Sequence, residues 1–195
     1  MSGNPGRKLV LLRHAKSAWP DGPDHERPLA HRGRRDSPVM GRWLRIDAHL
    51  PDQVVCSTAR RARETWQLTQ AALGATPPVS FDGRVYEASA AQLLDLIRCT
   101  PPAARTLLIV GHDPAIPELA LSLAVTTPLA HVRDVSNAAP PAMLDRMRAK
   151  FPTAAIAVLE ATGNWDQLAP GSARLTRFVV PRDLTAPEKR SSNRA

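Results

Sequence analysis

The chain has 195 residues, 43% hydrophobic and 23% charged, which is enough for one domain with a sizeable core. Aromatics make up only 4%, so Leu, Val, Ile and Ala must fill that core, and two cysteines, Cys56 and Cys99, exclude a disulfide framework or a cysteine-rich zinc site. A formal charge of +8 favours anionic partners, but the arginines are scattered apart from Arg32, Arg34, Arg35 and Arg60, Arg61, Arg63, and no nucleic-acid-reading motif accompanies them.

The first residues, Met1 to Lys8, are short and polar, and the apolar run after them is too brief for a signal peptide or a membrane span. A cytoplasmic location is therefore expected. Leu9 to Leu12 reads as a fully buried strand. A loop rich in Pro, Gly and Asp follows to about Leu29. The spacing of Val39, Met40, Trp43 and Leu44 predicts a helix over Arg32 to Ala48, with Pro38 against its first half. Gln53 to Cys56 is a second buried strand. A helix to Leu73 follows, capped by Ser57 or Thr58, with Ala62, Trp66, Thr69 and Leu73 facing inward.

Val79 to Phe81 reads as a short strand and Ala90 to Cys99 as a helix. Thr106 to Val110 is the third clear buried strand. It ends at Gly111-His112-Asp113-Pro114, where Asp113 suits an N-cap and Pro114 the first helical position. A helix through Ile116, Leu119, Ala120 and Leu123 follows. Thr126 to Pro141 is irregular, Met143 to Lys150 helical, and Ala154 to Glu160 and Leu175 to Val180 are two strands able to pair antiparallel. Both cysteines sit in or beside apolar runs and are expected as buried free thiols. The alternation of strands and helices predicts a three-layer α/β/α sandwich with a mostly parallel central sheet. It forms a single domain over residues 1–180, with a polar, mobile tail over 181–195.

Sites in such folds lie beyond the carboxyl ends of the strands, and three motifs fall there. Arg13-His14 leaves the first strand. Arg61 falls in the first turn of the helix after the second, where free backbone N–H groups and a planar guanidinium suit an anion. Gly111-His112 leaves the third. Two arginines, two imidazoles and helix N-termini at one locus suit a tetrahedral dianion. Arg60 and Arg63 read as solvated helix residues.

These motifs resemble the histidine phosphatase superfamily, also called phosphoglycerate mutase-like, and within it the small SixA-type branch of phosphohistidine phosphatases. Arg13-His14-Ala15 stands for the family's Arg-His-Gly. Ser57-Thr58-Ala59-Arg60-Arg61-Ala62-Arg63-Glu64-Thr65 stands for its Ser-Pro-x-x-Arg-Ala-x-x-Thr, with Thr58 in place of proline. Gly111-His112-Asp113-Pro114 matches Gly-His-x-Pro, and Asp24 to Leu29 matches Asp-x-x-Arg-Pro-Leu. The likeness covers Lys8 to Ala124 well and the last strands loosely.

The resemblance implies catalysis by a covalent phosphohistidine on His14, with phosphate held by Arg13, Arg61 and His112 and a further hydrogen bond from Ser17. It offers Glu87 and Asp24 as alternative proton donors to the leaving group. No carboxylate cluster or His-x-x-x-His spacing suggests a divalent metal, and no cofactor is expected; the expected partner is a phosphorylated small molecule or a phosphohistidine-bearing protein, with neither nucleic acid nor membrane. A mutase-like phosphoryl transferase and a non-catalytic phospho-ligand-binding protein stay open as alternatives, and the segment from Thr126 to Pro141 as a pocket wall.

Overall fold

The computed structural model describes residues 6–125 and 140–185. The irregular segment read over Thr126 to Pro141 lies outside the described residues up to residue 139, as does the tail from residue 186.

Six strands form one sheet: β1 (Arg7–Arg13), β2 (Gln53–Ser57), β3 (Val79–Asp82), β4 (Thr106–Gly111), β5 (Ile156–Ala161) and β6 (Ala173–Val179), in the order β3-β2-β4-β1-β5-β6. The first four are mutually parallel, and β5 runs antiparallel to both β1 and β6. The alternation of side chains along each strand divides the core between two faces. On one, Val10, Leu12, Val54, Cys56, Leu108 and Val110 pack with Met40 and Leu44 of α1 (His31–Ile46) and Ala62, Trp66 and Leu73 of α2 (Arg60–Leu73). On the other, Leu9, Leu11, Val55, Leu107 and Ile109 meet α3 (Ala90–Arg98), α4 (Ala115–Leu123) and α5 (Pro141–Ala149). This is the three-layer α/β/α sandwich expected from the alternation of elements.

α1 runs straight through Pro38, although that residue cannot donate to the carbonyl one turn back. Close packing holds the helix. A Cβ on Gly41 would lie 2.1 Å from the Thr69 carbonyl oxygen of α2, and one on Gly33 would lie 2.3 Å from the Lys16 carbonyl oxygen in the loop after β1. These two glycines let α1 approach both its partner helix and the loop that leaves β1.

Four sequence expectations are corrected. The residue capping α2 is Ala59, not Thr58 or Ser57, because the Ser57 and Thr58 hydroxyls are engaged with His112 and His25. Pro114, not Asp113, precedes α4, and the Asp113 carboxylate is drawn to Arg13 at 3.3 Å. Cys56 is buried, which pushes its thiol well above its usual range, but Cys99 is exposed because it lies past the last turn of α3. The tail placed from Pro181 onward begins with a helical turn, α6 (Pro181–Thr185). There Pro181 is buried and Asp183 accepts from the Val180 N–H and pairs with Arg146. Among the described residues no helix is long and apolar enough to cross a membrane.

Candidate active site

The sheet itself assembles the site. β1 and β4 are adjacent and parallel with Arg13 in register with Gly111, so the residues that follow, His14 and His112, emerge side by side. Their ring centroids are 5.1 Å apart. β2 lies on the other side of β4, ends at Ser57 on the same edge and feeds α2, whose first turn carries Arg61.

His14 is 9% exposed and held from several directions. Its backbone N–H donates to the Gly111 carbonyl at 2.9 Å, and its carbonyl accepts from the Ala154 N–H at 3.1 Å, as does that of Arg13. The ring Nδ1 lies 2.7 Å from the Ala15 carbonyl oxygen. A carbonyl only accepts, so Nδ1 carries the proton and Nε2 keeps its lone pair. The Ala15 N–H in turn donates to Thr65 Oγ1 at 2.9 Å, and that hydroxyl donates to the Arg61 carbonyl at 2.6 Å. Burial pushes the His14 imidazole down to about 3. The Ala15 hydrogen bond opposes this, while His112, Arg61 and Arg13 add to it. The ring is therefore neutral at physiological pH.

His112 is pushed down to about 4, by burial first and then by the Arg61 charge, with Asp24 acting the other way. Its Nε2 meets Ser57 Oγ at 2.8 Å, and Tyr86 stands edge-on to its ring at 5.5 Å. Arg13 donates from Nη1 to the Phe151 carbonyl at 2.6 Å. Arg61 is 7% exposed and donates to Asp24 twice, to the carbonyl at 2.7 Å and to Oδ2 at 3.0 Å. Three buried nitrogens here have no hydrogen-bond partner among the described residues: Arg13 Nε, Arg61 Nε and His112 Nδ1. Unmet polar atoms at this density are what a site shaped for a ligand with many acceptor oxygens would leave.

Asp24 accepts from Arg27 Nη1 at 2.7 Å, Tyr86 Oη at 2.8 Å and Arg61 Nη2 at 3.0 Å. The Arg27 and Tyr86 hydrogen bonds hold its carboxyl far below the usual carboxylate range, with Arg61 adding to the effect. Ser17 is buried and accepts from Arg27 Nη2 at 2.7 Å. The Arg27 guanidinium also donates to the Ala18 carbonyl and lies over the ring of Trp19, which is 75% exposed.

Of the residues expected at the site, Arg13, His14, Ser17, Arg61 and His112 line one cavity of about 240 Å3, and Asp24 is bonded to its Arg61 wall. Glu87 is not brought there. It lines a different cavity with Arg84, Gln92, Asp95 and Cys99, while its neighbour Tyr86 turns toward His112 and Asp24. Arg60, exposed, pairs with Glu64, and the half-buried Arg63 lies 4.0 Å from Glu26. Ser57, Thr65, Arg27 and Tyr86 also bond within the site. The first three stand inside the motifs quoted above, so their positions were visible although their contacts were not. Nothing in the sequence pointed to Tyr86. No group of three or more His, Cys, Asp or Glu side chains among the described residues is placed to hold a metal ion.

Comparison with known proteins shows the family. The family model of the histidine phosphatase superfamily (branch 1) matches residues 9–96. An uncharacterised protein of Mycobacterium tuberculosis is 41% identical over 172 residues, covering 88% of this chain and all of its own. A protein of Nakamurella multipartitia assigned as a SixA phosphohistidine phosphatase has a solved structure that superposes with a TM-score of 0.76. It is 34% identical, over 92% of this chain and 99% of the other. One from Agrobacterium tumefaciens with the same assignment gives a TM-score of 0.68 at 26% identity, over 90% and 98%. With the phosphoglycerate mutase-like α/β fold shared along nearly its whole length and the Arg-His, Arg and Gly-His motifs gathered at one sheet edge, this chain belongs to the histidine phosphatase superfamily, in its SixA-type branch.

Proposed function

We propose that this chain is a phosphatase that takes a phosphoryl group onto Nε2 of His14 and passes it to water. The observation that carries the reading is the state of His14. It is buried and neutral, and its Nδ1 proton is committed to the Ala15 carbonyl, so the Nε2 lone pair is available beside three unpaired N–H or imidazole nitrogens. In the first step Nε2 forms a bond to phosphorus as the bond to the leaving group breaks. Arg13, Arg61 and His112 offset the charge spread over the three equatorial oxygens. In the second, a water oxygen replaces Nε2 on phosphorus, and the water's protons stay with the orthophosphate formed and the surrounding solvent. His14 returns neutral.

The substrate class follows from the proton donor. Asp24 is held ionised by three donors and has no proton to give, and Glu87 faces another cavity and does not reach the site. In place of the general acid expected from the family pattern, we assign Asp24 the part of an acceptor that orients Arg61. Ser17, through Arg27, braces that acceptor. A site of this kind suits leaving groups that depart without help. The imidazole of a phosphohistidine, which can carry its own proton, is one, and this matches the assignment of the Nakamurella and Agrobacterium proteins. Activated phosphomonoesters are another. The positive charge needed at the phosphoryl group is supplied by the two guanidinium groups, and turnover is expected to persist in excess EDTA.

The test is a series of phosphohistidine, aryl phosphate and alkyl phosphate substrates on wild type and His14→Ala. Rates should fall steeply as the leaving group becomes more basic. His14→Ala should lose more than about 10³-fold in kcat, together with the acid-labile phosphoryl label. Near-normal turnover by His14→Ala would remove His14 from the reaction.

A further inference from the structure

A second concavity, of about 280 Å3, lies against the catalytic cavity, and the two share Thr153 as a lining residue. Its wall is formed by α1, the segment after α5 and α6. Four cations line it, Arg32, Arg35, Lys150 and Arg182, against a single carboxylate, Asp36. Asp36 is buried and already taken: Arg32 Nε lies 3.4 Å away and Arg35 Nη2 3.2 Å. It offsets one charge and fixes two guanidinium groups at the pocket wall. Arg32 reaches on to Thr153 Oγ1 at 3.2 Å, and Thr153 is the residue that lines both cavities. The side chains of Lys150 and Arg182 have no partner among the described residues.

Like charges gathered around a concavity without matching anions repel one another and focus a positive potential inside it. Such an arrangement favours the entry of an anion. Arg32 and Arg35 are pre-oriented by Asp36, so an anionic group meets donors already in place. The shape also matters. A pocket of this size admits one compact group and does not present the flat face on which a large surface would dock.

We propose that this pocket is a second anion subsite, which binds a phosphate or carboxylate carried by the same substrate molecule whose phosphoryl group enters the His14 cavity. The assignment rests on the phosphatase reading above and narrows its substrate to one with two anionic groups. One group is transferred and the other is anchored between Arg35 and Arg182.

Calorimetric titration of the full chain with alkane-α,ω-bisphosphonates of increasing length, each against the alkyl monophosphonate of equal length, tests it. A parallel series of ω-phosphonocarboxylates separates a phosphate-like from a carboxylate-like second group. At one chain length, in one or both series, the second anion should tighten Kd about tenfold or more. In Arg35→Gln/Arg182→Gln that gain should fall below about twofold, whereas Arg84→Gln/Arg148→Gln, which removes the same charge from exposed positions elsewhere, should keep it. No gain at any length in either series, or a gain that survives in Arg35→Gln/Arg182→Gln, overturns the proposal. The phosphatase reading fails separately, on the turnover of His14→Ala, and binding gain requires no turnover.

Discussion

Asp24 is the residue whose part changes most between sequence and structure. Its carboxylate accepts from Arg27, Tyr86 and Arg61 at once, so an incoming phosphate must compete with it for the Arg61 guanidinium. Asp24→Asn removes the competing charge and keeps the shape. Orthophosphate should then inhibit more tightly, about two- to tenfold in Ki, since an opposite charge beside Arg61 has been removed. Turnover of phosphohistidine should change little. Were Asp24 the proton donor, kcat for alkyl phosphates would instead drop by about 10²–10⁴. Steady-state kinetics with product inhibition distinguishes the two. Arg13, His14, Arg61 and His112 could be read from sequence because each follows a buried strand, and the ends of parallel strands share one edge. Glu87 was misplaced for a local reason. Glu87 takes a positive φ of 59° where the chain turns after Tyr86, so the two neighbouring side chains part, and no glycine marks that turn in the sequence. The carbonyl that fixes the His14 tautomer was equally hidden, since Ala15 acts through its backbone.

At the scale of elements, apolar runs located the four interior strands β1, β2, β4 and β5 to within a few residues, because strands buried on both faces need no pattern finer than continuous hydrophobicity, and the edge strands β3 and β6 were found from shorter runs. Helix ends were less legible. Side-chain propensity favoured Thr58 and Asp113 as caps, but tertiary partners claimed them, His25 in one case and Arg13 in the other. Pro38 argues against the first half of α1, yet the helix persists, with Gly41 allowing a close seat on α2. That seat gives a test. Gly41→Ala would ordinarily gain about 1 kcal/mol of helix propensity. Here the new Cβ would meet the Thr69 carbonyl at 2.1 Å, and a backbone oxygen inside a helix cannot rotate away. The clash should win, with a net loss of about 1–3 kcal/mol, read as a lower midpoint in urea unfolding. A midpoint equal to or above that of the wild type would show that α1 and α2 can separate at little cost.

For the molecule as a whole, the two buried imidazoles tie stability to acidity. Burial pushes His14 down to about 3 and His112 to about 4, and His49 is shifted in the same direction, all below the ordinary histidine value of 6.5. Between those values the unfolded chain binds protons that the folded chain refuses, so stability is whole above pH 6.5 and is lost as pH falls toward 4. At pH 4.5 the loss should be on the order of several kcal/mol. Thermal unfolding at pH 7 and 4.5 should show it, with a smaller drop in His14→Gln/His112→Gln. Equal drops would place the acid sensitivity elsewhere, and the window above pH 4.5 keeps most carboxylates out of the comparison. The joining of the two halves of the chain also has a consequence for dissection. Every group proposed to touch phosphate lies before residue 113, but the carbonyls of Arg13 and His14 are held by Ala154, and Arg13 by Phe151. A fragment ending at residue 125 would keep the whole signature and lose β5, turning β1 from an interior strand into an unprotected sheet margin. The stretch that identifies the protein is thus shorter than the stretch that works. Swapping or truncating by motif boundaries would yield a recognisable sequence with His14 unseated.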